Sequence, residues 1–438
     1  MKHKFLFISK DALISDIAWQ IIKEGHEAKY FIEDKGEDDI ADGFVPKTRD
    51  WKKDLDWADV IVFDDVLGHG KIAEELRKKG KKVIGGTTYT DMLEDDRSFG
   101  QRELKKHGVK IIPFWEFSNF DEAIAFVKEH PDEYVVKPSG EAQNIKRLLF
   151  VGQEKDGNDV IRVLESYKKV WSKEVKVFQL QKMVVGVEIA VGAFFNGKDF
   201  IYPININFEN KKLFPGNFGP ATGEMGTFMF WSQSNLLFSS TLEKLKDTLK
   251  SENYVGYIDL NCIVNSYGIY PLEFTCRFGY PTISIQQEGM ITPIGEFFYN
   301  LANGNDIDLK CKKGFQIGVR LVVPPYPFKD KMTFDSFSKD AVIAFKGNNN
   351  SNGNNSNGNN SNGIHIEDVK LVNDQWIITG SSGVALIVVG TGSTMKEAQK
   401  QVYSRIKNIL IPNMYYRDDI GDRWYEEFDK LHSWGYIR

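Results

Sequence analysis

At 438 residues, with 42% hydrophobic and 27% charged side chains, the chain has an ordinary globular composition and is too long for one core, so it should divide into about three or four domains. A formal net charge of −5 argues against nucleic-acid or anionic-membrane partners, which are met by basic patches, and leaves small anionic ligands to local Lys and Arg. No segment approaches the roughly 20 apolar residues of a membrane span, and Cys262, Cys276 and Cys311, which lack CxxC spacing, read as buried free thiols in a reducing, cytoplasmic setting.

The N-terminus, MKHKFLFISKDALISD, has an apolar run interrupted by Lys10 and Asp11 and no signal-peptide core. Residues 1–94 alternate strand and helix patterns (KFLFIS, ALISDIAWQIIKEG, AKYFI, DVIVF, KIAEELRKKG, KKVIGG), which predicts a small parallel sheet wrapped by helices. From Asp95 the pattern becomes a long helix beginning near Arg97, a strand, a second helix and a strand ending at Lys137. The loop SGEAQNIKRLLF follows, with Gly140, Lys146 and Arg147. VFQLQKMVVGVEIAVGAFF then predicts two strands joined through Gly186, with Gln181, Lys182 and Glu188 as polar punctuation. The Gly- and Pro-rich stretch 209–228 predicts an irregular loop, opened by Lys211 and Lys212 and carrying the run Thr222-Gly223-Glu224-Met225-Gly226.

The chemistry concentrates in 257–278, YIDLNCIVNSYGIYPLEFTCRF, which predicts a strand, a tight turn and a second strand. Asp259 and Asn261 share one face of the first strand, and Glu273, Thr275 and Arg277 repeat that period of two on the second. Burying such groups costs several kcal/mol unless they meet an ion, a ligand or each other. Acidic, amide and hydroxyl oxygens suit a hard divalent cation such as Mg²⁺ or Mn²⁺, and a neighbouring Arg suits a phosphate or carboxylate. A plain Glu273–Arg277 salt bridge is the simpler alternative. The amphipathic segment ITPIGEFFYNLANG comes next, followed by strand patterns at GFQIGVRLVV and DAVIAF. The tract 347–363 is low in complexity and reads as a disordered loop. IHIEDVKLV, QWIITG, GVALIVVGTG and the helix MKEAQKQVYSRIKNIL lead to the tail MYYRDDIGDRWYEEF.

Three of these stretches, LEFTCRFG, GPATGEMG from Gly219 and YRDDIG from Tyr416, resemble the signature segments of the phosphoribosylamine–glycine ligase family, within the ATP-grasp superfamily, in the same order and at similar spacing. The resemblance implies an α/β (α+β) protein with an N-terminal parallel α/β domain over 1–94 and two ATP-grasp lobes over 95–172 and 173–306. A C-terminal mixed domain would cover 307–438. It implies ATP and Mg²⁺ (or Mn²⁺), small-molecule carboxylate and amine substrates, no nucleic-acid or membrane partner, and a monomer or homodimer. Residue by residue, Arg97 and Lys137 would hold the nucleotide phosphates, and Gln181 with the Lys182, Met183 and Val184 backbone would meet the base. Glu188 would meet the ribose. Glu273, with Asp259, Asn261 and Thr275, would hold the metal, and Arg277, Gly223 and Glu224 would serve the reacting groups. The family carries an Asn where Thr275 stands here.

Two departures bear on the amine. The family's first strand ends on Gly-Gly-Arg-Glu-His-Ala-Leu, which grips a sugar phosphate, where this chain reads SKDALISD; a later Gly-Gly-Arg-Val-Leu is replaced by SSGVAL. With neither glycine nor Arg at the first turn, and no Arg at the second, the expectation is an ATP-dependent carboxylate–amine ligase with an altered amine substrate. The purine-pathway enzyme itself and a nucleotide-binding protein without catalysis are the alternatives.

Overall fold

The computed structural model describes residues 1–64, 68–139, 148–173, 175–346 and 362–437. Strands β1 (Lys4–Ser9), β2 (Glu27–Ile32), β3 (Val60–Phe63) and β4 (Val83–Ile84) form a sheet in the order β2-β1-β3-β4, all parallel as the alternating pattern predicts. Phe5 and Phe7 join one hydrophobic cluster and Leu6 and Ile8 another, so β1 is buried on both faces and its sequence is an unbroken apolar run. A second, antiparallel sheet joins β5 (Phe114–Phe117), β6 (Tyr134–Pro138), β7 (Phe150–Val151) and β8 (Phe178–Lys182) in the order β5-β8-β6-β7. The helices Phe120–Glu129 and Asn158–Trp171 cover it with Phe120, Ala123, Val127 and Leu164 against Tyr134, Val136, Phe178 and Leu180.

The centre of the molecule is an eight-stranded sheet. It joins β9 (Val187–Asn196), β10 (Ile204–Phe214), β11 (Phe218–Ser232), β12 (Val255–Asn265), β13 (Gly268–Thr275), β14 (Phe315–Val322), β16 (Ile364–Ile366) and β19 (Val384–Gly392), in the order β13-β12-β9-β10-β11-β14-β19-β16. A small sheet of β15 (Val342–Phe345), β17 (Val369–Val372), β18 (Gln375–Ile378) and β20 (Ile409–Leu410) lies beside it. Arg77 ties the first sheet to the large one, donating to the carbonyls of Gly86 at 2.8 Å and Val255 at 3.4 Å.

Four expectations change. The stretch 209–228 is a long β10–β11 hairpin, not a loop, because its strand-breaking residues gather at the tip, where Gly216, Asn217 and Gly219 take positive φ. Further along, Gly226 allows a close approach, since a Cβ there would lie 2.6 Å from the Gly318 carbonyl. The two strands around Gly186 belong to different sheets, so 178–182 falls with the smaller lobe and not with 173–306. Residues 315–322 and 384–392 extend the sheet of β9–β13, so the division at 306 cuts through one layer. IHIEDVKLV likewise splits between the large sheet and the small one. The loop residues Gly140, Lys146 and Arg147, and the tract over 347–361, lie outside the described residues.

Candidate functional site

A cleft of about 590 Å³ opens between the β5–β8 sheet and the large sheet, lined among others by Arg97, Lys137, Gln181, Glu188, Lys211 and Glu273. Lys182, Met183, Val184, Gly223, Thr275 and Arg277 also reach it, whereas Asp259, Asn261 and Glu224 are not on its wall. Arg97 is the first residue of the helix Arg97–Lys106, which Asp96 caps by accepting from the Phe99 N–H at 3.0 Å. That helix is pinned between the two sheets: Gln179 of β8 donates to Ser98 at 2.7 Å, and Gln101 donates to the Leu272 carbonyl of β13 at 3.1 Å. Gly100 lets it lie against β13, since a Cβ there would meet the Leu93 carbonyl at 2.8 Å and the Phe274 ring at 3.3 Å.

Register places the acidic groups. Asn261 pairs with Glu273 and Asp259 with Thr275 across β12 and β13, so all four share one face as the period of two predicts. Asp259 nonetheless turns into the sheet, accepting from Tyr257 Oη at 3.0 Å and Asn207 Nδ2 at 2.8 Å. Burial, then Glu209, pushes its carboxyl up to about 8, against the opposing hydrogen bonds. Asn261 donates to Glu209 Oε2 at 2.8 Å. Of the expected metal set, Glu273 therefore faces the cleft with Thr275 beside it, while Asp259 belongs to a buried polar network.

The sequence reading gave no role to Glu209 or Lys211, both on β10. Lys211 Nζ lies 2.9 Å from Glu188, 3.1 Å from Glu209 and 3.7 Å from Glu273. Burial works against its charge, but the three carboxylates hold its pKa well above the ordinary lysine range. Glu273 also stands 3.5 Å from Arg97. Burial would raise its carboxyl, yet Lys211, Arg97 and Lys137 together hold it down to about 2, and with 46% of its side chain exposed solvent screens part of that field. The Glu273–Arg277 alternative fails, since Arg277 pairs with Glu94 at 3.2 Å. The signal for β10 was present in alternate polar positions, Asn205, Asn207, Glu209 and Lys211, but Gly and Pro nearby masked it.

Lys137, the penultimate residue of β6, is 8% exposed and makes no ion pair among the described residues. Burial, and next Arg97, lower its pKa to about 7, with Glu273 and Glu188 opposing. The Nε of Arg97 is buried without a hydrogen-bond partner. Two under-satisfied cations side by side fit an anion such as a polyphosphate. Glu188, Glu209 and Glu273 supply hard oxygens that fit Mg²⁺, although no three acidic, His or Cys side chains among the described residues stand close enough to ligate an ion together. At the far end, the N–H groups of Lys182 and Met183 are taken by Pro113 and Glu133, each at 3.0 Å. The Val184 N–H makes no backbone hydrogen bond among the described residues, which leaves it for a base edge. Glu224 is buried behind the cleft, its Oε1 without a partner and its acidity suppressed by burial and Glu209.

The tail segment braces this wall from outside. Arg417 makes a two-point contact with Asp419, at 2.7 and 2.6 Å, and donates to the Lys212 carbonyl at 3.0 Å. Arg423 reaches the Glu209 carbonyl at 3.1 Å and the Glu188 carbonyl at 3.5 Å. The motif YRDDIGDR therefore fixes the two strands that carry Glu188, Glu209 and Lys211.

A family model described as phosphoribosylglycinamide synthetase, ATP-grasp (A) domain, matches residues 95–283, and one described as phosphoribosylglycinamide synthetase, C domain, matches residues 335–423. The phosphoribosylamine–glycine ligase of Streptococcus pneumoniae (strain R6) is 25% identical over 384 residues, 84% of each chain. That of Clostridium acetobutylicum is 26% identical over 363 residues, 80% of this chain and 81% of its own. Among solved structures, phosphoribosylamine–glycine ligase from Thermotoga maritima superposes with a TM-score of 0.70 at 20% identity, covering 95% of this chain and all of that one. A biotin carboxylase complex from Campylobacter jejuni shares the fold, at a TM-score of 0.64 and 15% identity over 99% of this chain and 97% of its own.

Proposed function

Because the chain belongs to the ATP-grasp superfamily of ligases and resembles phosphoribosylamine–glycine ligase, we propose that it joins the carboxylate of glycine to the amine of phosphoribosylamine, with ATP converted to ADP and phosphate. The observation that carries this reading is the clustering of Arg97, Lys137 and Lys211 with Glu188 and Glu273 in a single cleft between two sheets, with Glu209 paired to Lys211. Relatives bearing that name, aligned over most of their length, support this amine over another.

A carboxylate is a poor electrophile. Its oxygen attacks the γ-phosphorus of ATP, the bond to ADP breaks, and the resulting acyl phosphate is attacked at carbon by the amine nitrogen, which expels phosphate. Proteins assist such transfer by position and charge. Arg97 and Lys137 neutralise the phosphates, and Arg277, oriented by Glu94, stands at the edge of the cleft for the acid or the transferring group. Glu273 and Glu209, with Asn261 beside them, would hold Mg²⁺, which would supply positive charge to offset that of the phosphates. Val184 and Gln181 sit where the base would lie.

One observation favours a different amine. The turn at 381–383, where the resemblance puts a sugar phosphate, is lined by carboxylates: Glu37 accepts from the Ser381 hydroxyl, and Asp368 accepts from Ser382 N–H at 3.0 Å and Oγ at 2.7 Å. The turn after β1 closes on itself, with Ser9 bonded to Asp64 and Leu13 N–H donating to Ser9 Oγ at 3.2 Å. ADP release with glycine and freshly generated phosphoribosylamine, together with rescue of a purine auxotroph lacking that ligase, tests both readings. Growth without purine is the expected result. No growth, with turnover on another amine, would favour the second reading.

A further inference from the structure

The carboxylates that suit a divalent cation already hold a cation of the protein's own. Lys211 Nζ stands within 2.9–3.7 Å of Glu188, Glu209 and Glu273, and the side chain of Asn261 completes the group through Glu209. A divalent ion and an ammonium cannot share these oxygens without strong like-charge repulsion. With the ammonium between them, the carboxylates are also too dispersed to ligate an ion jointly. We propose that Lys211 is a resident counter-ion that closes the metal site of the nucleotide-free protein, so that the divalent ion enters only together with nucleotide phosphates, which draw the ammonium off the carboxylates. The proposal rests on the reading that this cleft takes Mg·ATP.

The local structure permits that movement and confines it to the side chain. Thr222 Oγ1 donates to the Lys211 carbonyl at 2.8 Å, which anchors the backbone of β10 to β11. The four-carbon stem is free to swing, and Lys211 lines the same cleft as Lys137 and Arg97, so a polyphosphate seated on those two cations lies on the side to which it would turn. Removing the ammonium leaves three carboxylates facing one another, an arrangement that draws a divalent ion with no nucleotide present.

The test is Mn²⁺ binding, followed by electron paramagnetic resonance of the free ion and needing no turnover, with and without a non-hydrolysable ATP analogue. Wild-type protein is expected to take Mn²⁺ weakly alone and tightly with the analogue. Lys211→Met is expected to tighten nucleotide-free Mn²⁺ binding by about tenfold or more, as loss of a unit like charge at contact distance implies, and to depend less on the analogue. Lys212→Met, which removes an exposed neighbour, serves as the control and should match wild type. Lys211→Gln repeats the test should the Met variant fold poorly, and the wild-type comparison stands without any variant. Unchanged affinity in the Lys211 variants, or wild-type binding as tight alone as with the analogue, overturns the proposal while leaving the ligase reading intact. No Mn²⁺ uptake in any arm, analogue included, overturns the metal reading and the proposal together.

Discussion

Single side chains in the cleft carry the most direct predictions. Lys137 is poised near neutrality because burial, Arg97 and Lys211 all disfavour its charge. Nucleotide phosphates favour that charge, so its pKa rises on binding and the complex takes up a proton wherever the free protein has lost one. Affinity for ATP should therefore be steady below about pH 7 and weaken above it by up to about tenfold per pH unit. Calorimetry in buffers of different ionisation enthalpy reads the proton uptake, which Lys137→Ala should abolish. Glu273→Gln should lower turnover by on the order of a hundredfold or more, with little effect on the thermal midpoint because the side chain is half exposed. Full activity in that variant would remove Glu273 from the site. Lys137, Arg97 and Glu273, which the structure brings to one cleft, were singled out in the sequence, Glu273 from its place in LEFTCRFG and the other two from the family resemblance alone. Lys211 and Glu209 were not legible there, since their role depends on sheet neighbours far along the chain, Glu188 on β9 and Asn261 on β12.

At the scale of elements, the β10–β11 hairpin shows where residue composition misleads. Glycine usually weakens a strand, yet Gly226 serves this one by letting β14 approach, and the misreading followed from averaging the tip with its flanks. Gly226→Ala places a methyl 2.6 Å from a backbone carbonyl that cannot rotate away. Such overpacking should cost about 1–3 kcal/mol, read as a lower denaturation midpoint at unchanged slope. The β12–β13 hairpin was legible because a period of two with charged residues is hard to mistake. The separation of β8 from β9 was not, since a chain that passes from one sheet to another keeps the same alternation on both sides of Gly186.

Across the whole molecule, one buried ion network joins parts that are distant in sequence. Asp16, in the first turn of the helix after β1, accepts from His365 Nδ1 at 2.7 Å and Ile366 N–H at 3.1 Å, while Glu288 lies 3.5 Å from the other ring nitrogen. Burial works against the imidazolium, but Asp16 and Glu288 raise its pKa to about 9. A raised His pKa means stability fully present below the unfolded value of about 6.5 and lost as pH rises through 9. His365→Gln should cost about 3–5 kcal/mol at neutral pH and flatten the alkaline decline, checked by urea denaturation between pH 6 and 10. A decline as steep in the variant as in wild type would assign it to other groups. The continuous sheet has a consequence for synthesis. As the chain leaves the ribosome, the parallel β1–β4 sheet can close early, but β11 has a bare edge until residues 315–322 emerge, and that partner in turn waits for 384–392. Exposed edges recruit other strands, so the nascent protein passes through an interval in which its largest sheet is open to chaperones and to its own copies, and premature termination within that interval yields aggregates, not a smaller working enzyme.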